Sequence, residues 1–262
     1  MDAVASAQGA LVDFTCNVCG TPVKNCPRET IDREISSCPE CRSSVRFRSI
    51  VHLVSMALFG RSLPLPQFPV NRGIVGIGLS DWDGYARGLA EKLDYTNMYF
   101  HQPPFLDVCK PVGALEQTSD FVISTEVFEH VVPPAARAFQ GVFDLLKPGG
   151  HLILTVPFSN GPATIEHFPE LHDYRIVQFD DKYVLLNRTA DGKYAVHEDL
   201  VFHGGPGTTL EMRLFCRQDV IAQLTAAGFG NITVFESDVP EWGILHNNPW
   251  SLPVLAQRPA RP

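Results

Sequence analysis

The chain has 262 residues, 45% of them hydrophobic and 19% charged, and carries a net charge of −8. This composition excludes wholesale disorder. The longest apolar run, residues 49–60, falls short of the ~18 residues of a membrane span and is broken by His52. The acidic balance argues against binding nucleic acid over the whole surface.

Residues 1–10, MDAVASAQGA, show no basic stretch before an apolar core, so no secretory leader is expected there and a cytoplasmic location is the default. Charge and cysteine then divide the chain. Residues 14–61 hold 7 Lys/Arg against 4 Asp/Glu, whereas residues 62–262 hold 14 against 23. The basic stretch contains Cys16-x2-Cys19 and, eighteen residues on, Cys38-x2-Cys41. Two residues between cysteines let both thiolates of a tight turn face one tetrahedral ion, and two such turns close a four-sulfur site. The spacing predicts a zinc held by Cys16, Cys19, Cys38 and Cys41; a reducing compartment weighs against the alternative of two disulfides. Four thiolates leave no open position, so this zinc is expected to hold the fold rather than do chemistry. Cys26 reads as a spare thiol, and Cys109 and Cys216 as small buried hydrophobes.

Residues 42–60 have roughly helical spacing, with Arg42, Arg46 and Arg48 near the start. Those arginines form either a patch for phosphate or RNA or a solvated helix face, and the second reading is favoured. Residues 14–61 thus read as a small zinc-ribbon-like module with its linking helix. SLPLPQFP (62–69) reads as a linker before a body at 72–262.

In the body, strands are expected at 73–79, 96–100, 120–125 and 151–158, with helices at 83–93 and 134–150, the second stopped by Lys147-Pro148-Gly149-Gly150. A helix at 217–229 and strands at 231–236 and 251–258 follow. Apolar strands separated by helices imply an α/β fold: a Rossmann-like, mostly parallel sheet with helices on both faces. Residues 159–213 interrupt this alternation with expected antiparallel strands at 174–180, 182–188 and 193–202, turning at Asp180-Asp181 and Asp191-Gly192. Ligands of open α/β sheets bind beyond the carboxyl ends of the strands, so this antiparallel insertion is a natural lid.

Gly76 and Gly78 sit where the first strand turns towards its helix, which suits either close approach of backbone to a ligand or a plain tight turn. More specific are DFVISTEVFEHV (120–131) and, after a helix, LLKPGGHLILTVPF (145–158). These segments resemble the class I S-adenosylmethionine-dependent methyltransferase family, closely over about 72–158 and by element order over 214–258. The resemblance implies S-adenosylmethionine as cofactor. It places Gly76, Gly78 and Ser80 against the methionine end. Where the family has a ribose-binding acid, this chain has TNMYFHQ, so Tyr99 or His101 would substitute. Asp107 matches the acid at the adenine amino group, and Glu126 lies with Ser124 and Thr125 where a strand end lines the cofactor. His130 falls in the matching VFEHV segment. Zinc-containing members of that superfamily are also similar in arrangement; some modify ribosomal RNA and others act on small molecules or saccharides.

Transfer to a hydroxyl benefits from a base, and histidine suits that role near neutral pH. The insertion supplies His167, His172 and His203, in that order of preference, with Glu166, Asp173, Tyr174, His197, Glu211 and Arg213 near them in sequence. Trp242 and Trp250 either line an acceptor pocket or fill the core. The expectation is methyl transfer to a small hydroxyl-bearing metabolite or saccharide, with no membrane partner. An RNA methyltransferase docking through the zinc module, or a non-catalytic binding protein that kept the fold, are the alternatives.

Overall fold

The structure is a computed structural model and describes residues 10–110 and 112–260. Most of the segment searched for a leader, residues 1–9, lies outside the described residues. The chain opens with an antiparallel hairpin, β1 (Leu11–Thr15) and β2 (Pro22–Pro27), whose connection carries Cys16 and Cys19. The second cysteine pair leads into helix α1 (Val45–Phe59), which stops at Gly60 in the left-handed conformation, φ +66°.

The body follows in alternation: β3 (Asn71–Leu79), α2 (Asp83–Lys92), β4 (Leu93–Met98), β5 (Ser119–Thr125), α3 (Ala136–Leu145) and β6 (Leu146–Thr155). The insertion holds β7 (Phe158–Ser159), β8 (Ile165–Glu166), β9 (Asp173–Phe179), β10 (Lys182–Arg188), β11 (Tyr194–His197), β12 (Phe202–His203), β13 (Thr209–Leu210) and β14 (Arg213–Cys216). The chain closes with α4 (Arg217–Ala226), β15 (Gly230–Val234) and β16 (Val254–Gln257).

Six strands form the central sheet in the order β15-β16-β6-β5-β3-β4. β4, β3, β5 and β6 run parallel, and β16 is inserted antiparallel between β6 and β15. The α/β reading therefore holds: the sheet is Rossmann-like and mostly parallel. Along β5 successive residues alternate between two cores. Phe121 and Ile123 pack with Ile50 and Val54 of α1 and Tyr85 and Leu89 of α2. Val122 packs with Phe139 and Val142 of α3 and Val220 and Leu224 of α4. A strand covered on both faces has no use for polar side chains, which is why FVI reads as a continuous apolar run.

The first of these cores also contains Phe14, Cys16, Val18, Ile31 and Cys38, so the cysteine-bearing segment and the sheet share one apolar interior. The helix expected over 134–150 ends at Leu145 instead. Pro148 disfavours helical backbone at Lys147, and Gly149 takes φ +85°, so residues 146–150 become the start of β6. α2 runs directly into β4, which begins at Leu93 rather than at 96. Of the strand expected at 193–202 only Tyr194–His197 pairs with β10, because the chain turns at Glu198, whose carbonyl accepts from Leu200 N–H at 3.1 Å. β9, β10 and β11 make their own antiparallel sheet, packed on a small core of Phe168, Leu185, Leu210 and Met212.

Candidate functional site

The two cysteine turns are built alike. Gly20 N–H donates to Cys16 C=O at 2.7 Å, and Arg42 N–H donates to Cys38 C=O at 3.0 Å. The residue after each second cysteine adopts the left-handed conformation, φ +82° at Gly20 and +63° at Arg42. The four Sγ atoms lie within 4.8 Å of one another, with Cys16 to Cys41 at 3.6 Å and Cys19 to Cys38 at 3.7 Å. A disulfide needs about 2.05 Å, so these are four free thiols. Sulfurs at about 2.3 Å around a tetrahedral zinc stand about 3.8 Å apart, which is the spacing observed. Cys26 points elsewhere, with its Sγ 3.3 Å from Thr30 Oγ1.

Arg48 is fully buried beside this cluster. Its guanidinium donates to Ser43 C=O, Ser37 Oγ and Gly243 C=O at 2.9 Å each, and lies 4.8 Å from the centre of the Phe14 ring. A buried cation needs a counter-charge, and four thiolates around a divalent ion carry a net two negative charges. Arg46 is held by Glu34 through two hydrogen bonds of 2.8 Å. Of the three arginines expected on a solvated face, only Arg42 is exposed.

The carboxyl ends of β3 and β5 lie side by side, Leu79 opposite Ser124. Each strand is followed by a non-glycine residue in the left-handed region, Ser80 at φ +57° and Glu126 at φ +54°. Asp81 comes next and is buried. Its backbone is clamped by Asn97, which accepts from Asp81 N–H at 2.9 Å and donates to Asp81 C=O at 2.8 Å. Tyr95 donates its hydroxyl to Asp81 Oδ2. Asp81 Oδ1, and Tyr85 Oη beside it, meet no hydrogen-bond partner among the described residues. Burial pushes the Asp81 carboxyl up to about 7 against the opposing pull of the Tyr95 and Tyr85 hydroxyls and the Arg46 charge. In the sequence Asp81 is marked only by being an acid directly after the glycine turn.

The two glycines have a packing explanation. A Cβ on Gly76 would stand 2.2 Å from the Phe121 ring, and one on Gly78 would stand 1.9 Å from Tyr95 Oη and 2.3 Å from Asp81 Oδ2. Close approach is required, but by the protein's own side chains. Tyr99 accepts from Asn97 Nδ2 at 2.9 Å, which ties it to the same cluster. His101 is exposed, with its ring against Phe100. Asp107 accepts from Cys109 N–H at 3.0 Å and pairs with Lys110 at 2.9 Å. Glu126 is engaged by Arg33 at 2.6 Å, which joins the strand end to the cysteine-bearing segment.

Three residues after Glu126 begins a second cluster. Glu211 Oε1 lies 2.8 Å from His167 Nε2, and Glu211 Oε2 lies 3.0 Å from His203 Nε2. The His203 ring meets the His130 ring at 4.8 Å between centroids. His130 Nδ1 is 2.9 Å from Leu210 C=O, and its Nε2 is 3.6 Å from Glu129 Oε1. Glu129 is fully buried, and neither of its carboxylate oxygens has a hydrogen-bond partner among the described residues. Burial, reinforced by the Glu126 charge, raises its carboxyl well above the usual range. Burial also lowers the His130 imidazole. Arg213, fully buried, ties the lid to this edge: it donates to Glu166 Oε1 and to Phe128 C=O, both at 2.7 Å.

Of the three lid histidines, His167 and His203 therefore converge on one carboxylate. His172 does not; it is exposed and only its backbone N–H is held, by Asn187 at 2.9 Å. Trp242 is partly buried against the first core and donates to Ser62 Oγ at 2.7 Å. Trp250 is half exposed and lines a shallow cavity with Arg33, Arg46 and Ser251.

A family model described as a methyltransferase domain matches residues 69–200. Among solved structures, the sugar N-methyltransferase KedS8 from Streptoalloteichus is 14% identical, with 84% of this chain and 89% of that one covered at a TM-score of 0.46. The 1,6-didemethyltoxoflavin-N1-methyltransferase of Burkholderia thailandensis is 18% identical, with 80% and 76% covered at a TM-score of 0.45. CalS10, an amino pentose methyltransferase from Micromonospora echinaspora, is 14% identical, with 82% and 92% covered at a TM-score of 0.44. No curated protein matches the chain.

Proposed function

The chain belongs to the methyltransferase domain family, and from that premise we propose that it transfers a methyl group from S-adenosylmethionine to a hydroxyl of a small metabolite or saccharide, with a lid histidine as base. Bound S-adenosylmethionine would supply an electrophilic methyl group on a sulfonium, its carbon–sulfur bond breaking as the acceptor oxygen bonds the methyl and S-adenosylhomocysteine leaves. The orphaned Asp81 Oδ1 fits the ammonium of the donor's methionine end. A buried carboxyl with a raised pKa gains most from a cation brought next to it. Ser80 and Asp81 hold that end, with Tyr99 and Asp107 towards the adenosyl end.

The single observation that carries the acceptor side is the meeting of two lid imidazoles on Glu211. A carboxylate only accepts, so His167 Nε2 carries the proton between them and Nδ1 keeps its lone pair. His167 Nδ1 then takes the acceptor's hydroxyl proton, and Glu211 steadies the resulting imidazolium. The insertion, 159–213, covers the acceptor, and Arg213 fastens it to the strand edge. Residues 14–61 contribute a structural zinc on Cys16, Cys19, Cys38 and Cys41, for which the sulfur spacing is the fit. No helix among the described residues is long and apolar enough to cross a membrane.

Calorimetry with S-adenosylhomocysteine tests the donor half, and an absence of heat and of any thermal shift refutes it. With a competent acceptor, Glu211→Gln and His167→Asn are each expected to lower kcat by about 10²–10⁴, with donor affinity unchanged. Equal turnover in wild type and both variants removes the base.

A further inference from the structure

We propose that Glu129, His130 and His203 form a divalent-cation site whose open positions bind neighbouring oxygens of the acceptor. One donor atom from each residue lies within 4.8 Å of the other two. Bonds of about 2.0–2.2 Å place donors about 3–4 Å apart, so small side-chain rotations close the set on an ion.

Two further observations point to a ligand. Glu129 is completely buried, and both of its oxygens lack a hydrogen-bond partner among the described residues. Buried carboxylates are paired or coordinate metals, and this one faces imidazoles rather than a fixed cation. The geometry at His130 also selects a tautomer. Its Nδ1 lies 2.9 Å from Leu210 C=O, which only accepts, so Nδ1 bears the proton and Nε2 presents its lone pair towards Glu129. A backbone carbonyl fixing one imidazole nitrogen is the usual support of a metal-ligating histidine.

The surroundings suit a hard or borderline cation. Glu211, 3.0 Å from His203 Nε2, adds a carboxylate charge beside the site without joining the three donors. Imidazole with carboxylate fits Mn²⁺, Fe²⁺ or Zn²⁺ and contrasts with the four-thiolate site. Glu129 is also held by consecutive lid residues: its C=O accepts from Met212 N–H at 2.7 Å, and Arg213 donates to the carbonyl of Phe128 before it. Three protein donors leave positions open for substrate. Glu129 and His130 follow the carboxyl end of β5, which pairs with the end of β3, Leu79 opposite Ser124. The acceptor class it selects is one with two adjacent oxygens, such as a vicinal diol, bound through both. This role for the ion rests on the methyl-transfer reading; binding of the ion does not.

The test is Mn²⁺ titration of the full-length protein followed by electron paramagnetic resonance, with pulsed detection of nitrogen coupling. One bound Mn²⁺ showing imidazole nitrogen coupling is expected. The four-cysteine site has no nitrogen donor and cannot give that signal. Glu129→Gln and His203→Asn are each expected to weaken Mn²⁺ binding at least tenfold, with folding checked by circular dichroism. No bound Mn²⁺ at millimolar concentration, or bound Mn²⁺ without nitrogen coupling in the wild type, overturns the site. Calorimetry with S-adenosylhomocysteine on the same samples separates the two readings. Donor binding without Mn²⁺ binding sinks the cation site and leaves methyl transfer standing; Mn²⁺ binding without donor binding does the reverse.

Discussion

Replacing Asp81 by asparagine should make the protein more stable at alkaline pH while weakening its hold on the donor. The carboxyl ordinarily titrates near 3.8 and is here pushed up to about 7 by burial. The folded state therefore keeps a proton that the unfolded chain has released. The stability this contributes is full below the ordinary value and is lost as pH rises through about 7. Between pH 5 and pH 8 the wild type should lose about 3 kcal/mol from this group, at 1.36 kcal/mol per unit. The amide of the Asp81→Asn variant cannot ionise, so that protein should lack the slope, less a nearly pH-independent cost of about 1–3 kcal/mol for the weakened Tyr95 contact. Urea unfolding of both proteins at pH 5, 6, 7 and 8 reads the difference. Calorimetry at pH 7 should show S-adenosylhomocysteine binding weakened about 10–100-fold, the loss of one charge-assisted hydrogen bond. Parallel pH profiles of stability for the two proteins would refute the raised carboxyl, and unchanged donor affinity would refute its pairing with the ammonium.

Elemental analysis should find one zinc per chain, and Cys38→Ser should lose the metal and unfold the cysteine-bearing segment, because the binding free energy is folding free energy; a folded, metal-free wild type would contradict this. Arg48→Met removes the donor to Ser43 C=O, Ser43 Oγ, Ser37 Oγ and Gly243 C=O and the charge beside the thiolates, so a loss of about 3–5 kcal/mol is expected in urea unfolding, together with faster zinc release to a chelator. Gly76→Ala forces a Cβ to within 2.2 Å of the Phe121 ring; it should cost about 1–3 kcal/mol and be partly recovered by Phe121→Leu. Unchanged stability with lost donor affinity would instead favour ligand approach as the reason for that glycine.

Much of the fold was legible because its signals are local. The spacing Cys16-x2-Cys19 and Cys38-x2-Cys41 follows from the geometry of a single turn, so two such turns announce a four-sulfur site wherever they are carried. The apolar run of β5 and the helical spacing of α2 and α4 follow from burial on two faces or on one. Pro148 and Gly149 marked the end of a helix, although the stop comes before Lys147 because proline restricts the residue that precedes it.

What tertiary structure alone decided concerns residues brought together from a distance. His167 and Glu211 are 44 positions apart and meet because β8 pairs with β14, Arg213 opposite Glu166, which turns His167 N–H onto Met212 C=O. His203 reaches the same carboxylate through the β12–β13 pairing, His203 opposite Thr209. His172 has the same residue type and a similar sequence setting, yet it faces solvent, because no strand register carries it inward. Arg48 resembled a surface arginine until the packing of α1 buried it beside four thiols. Chain-local patterns specify periodicity and turns, whereas charge pairing across strands depends on register and on which helix face the sheet covers, and neither is written in any short stretch of sequence.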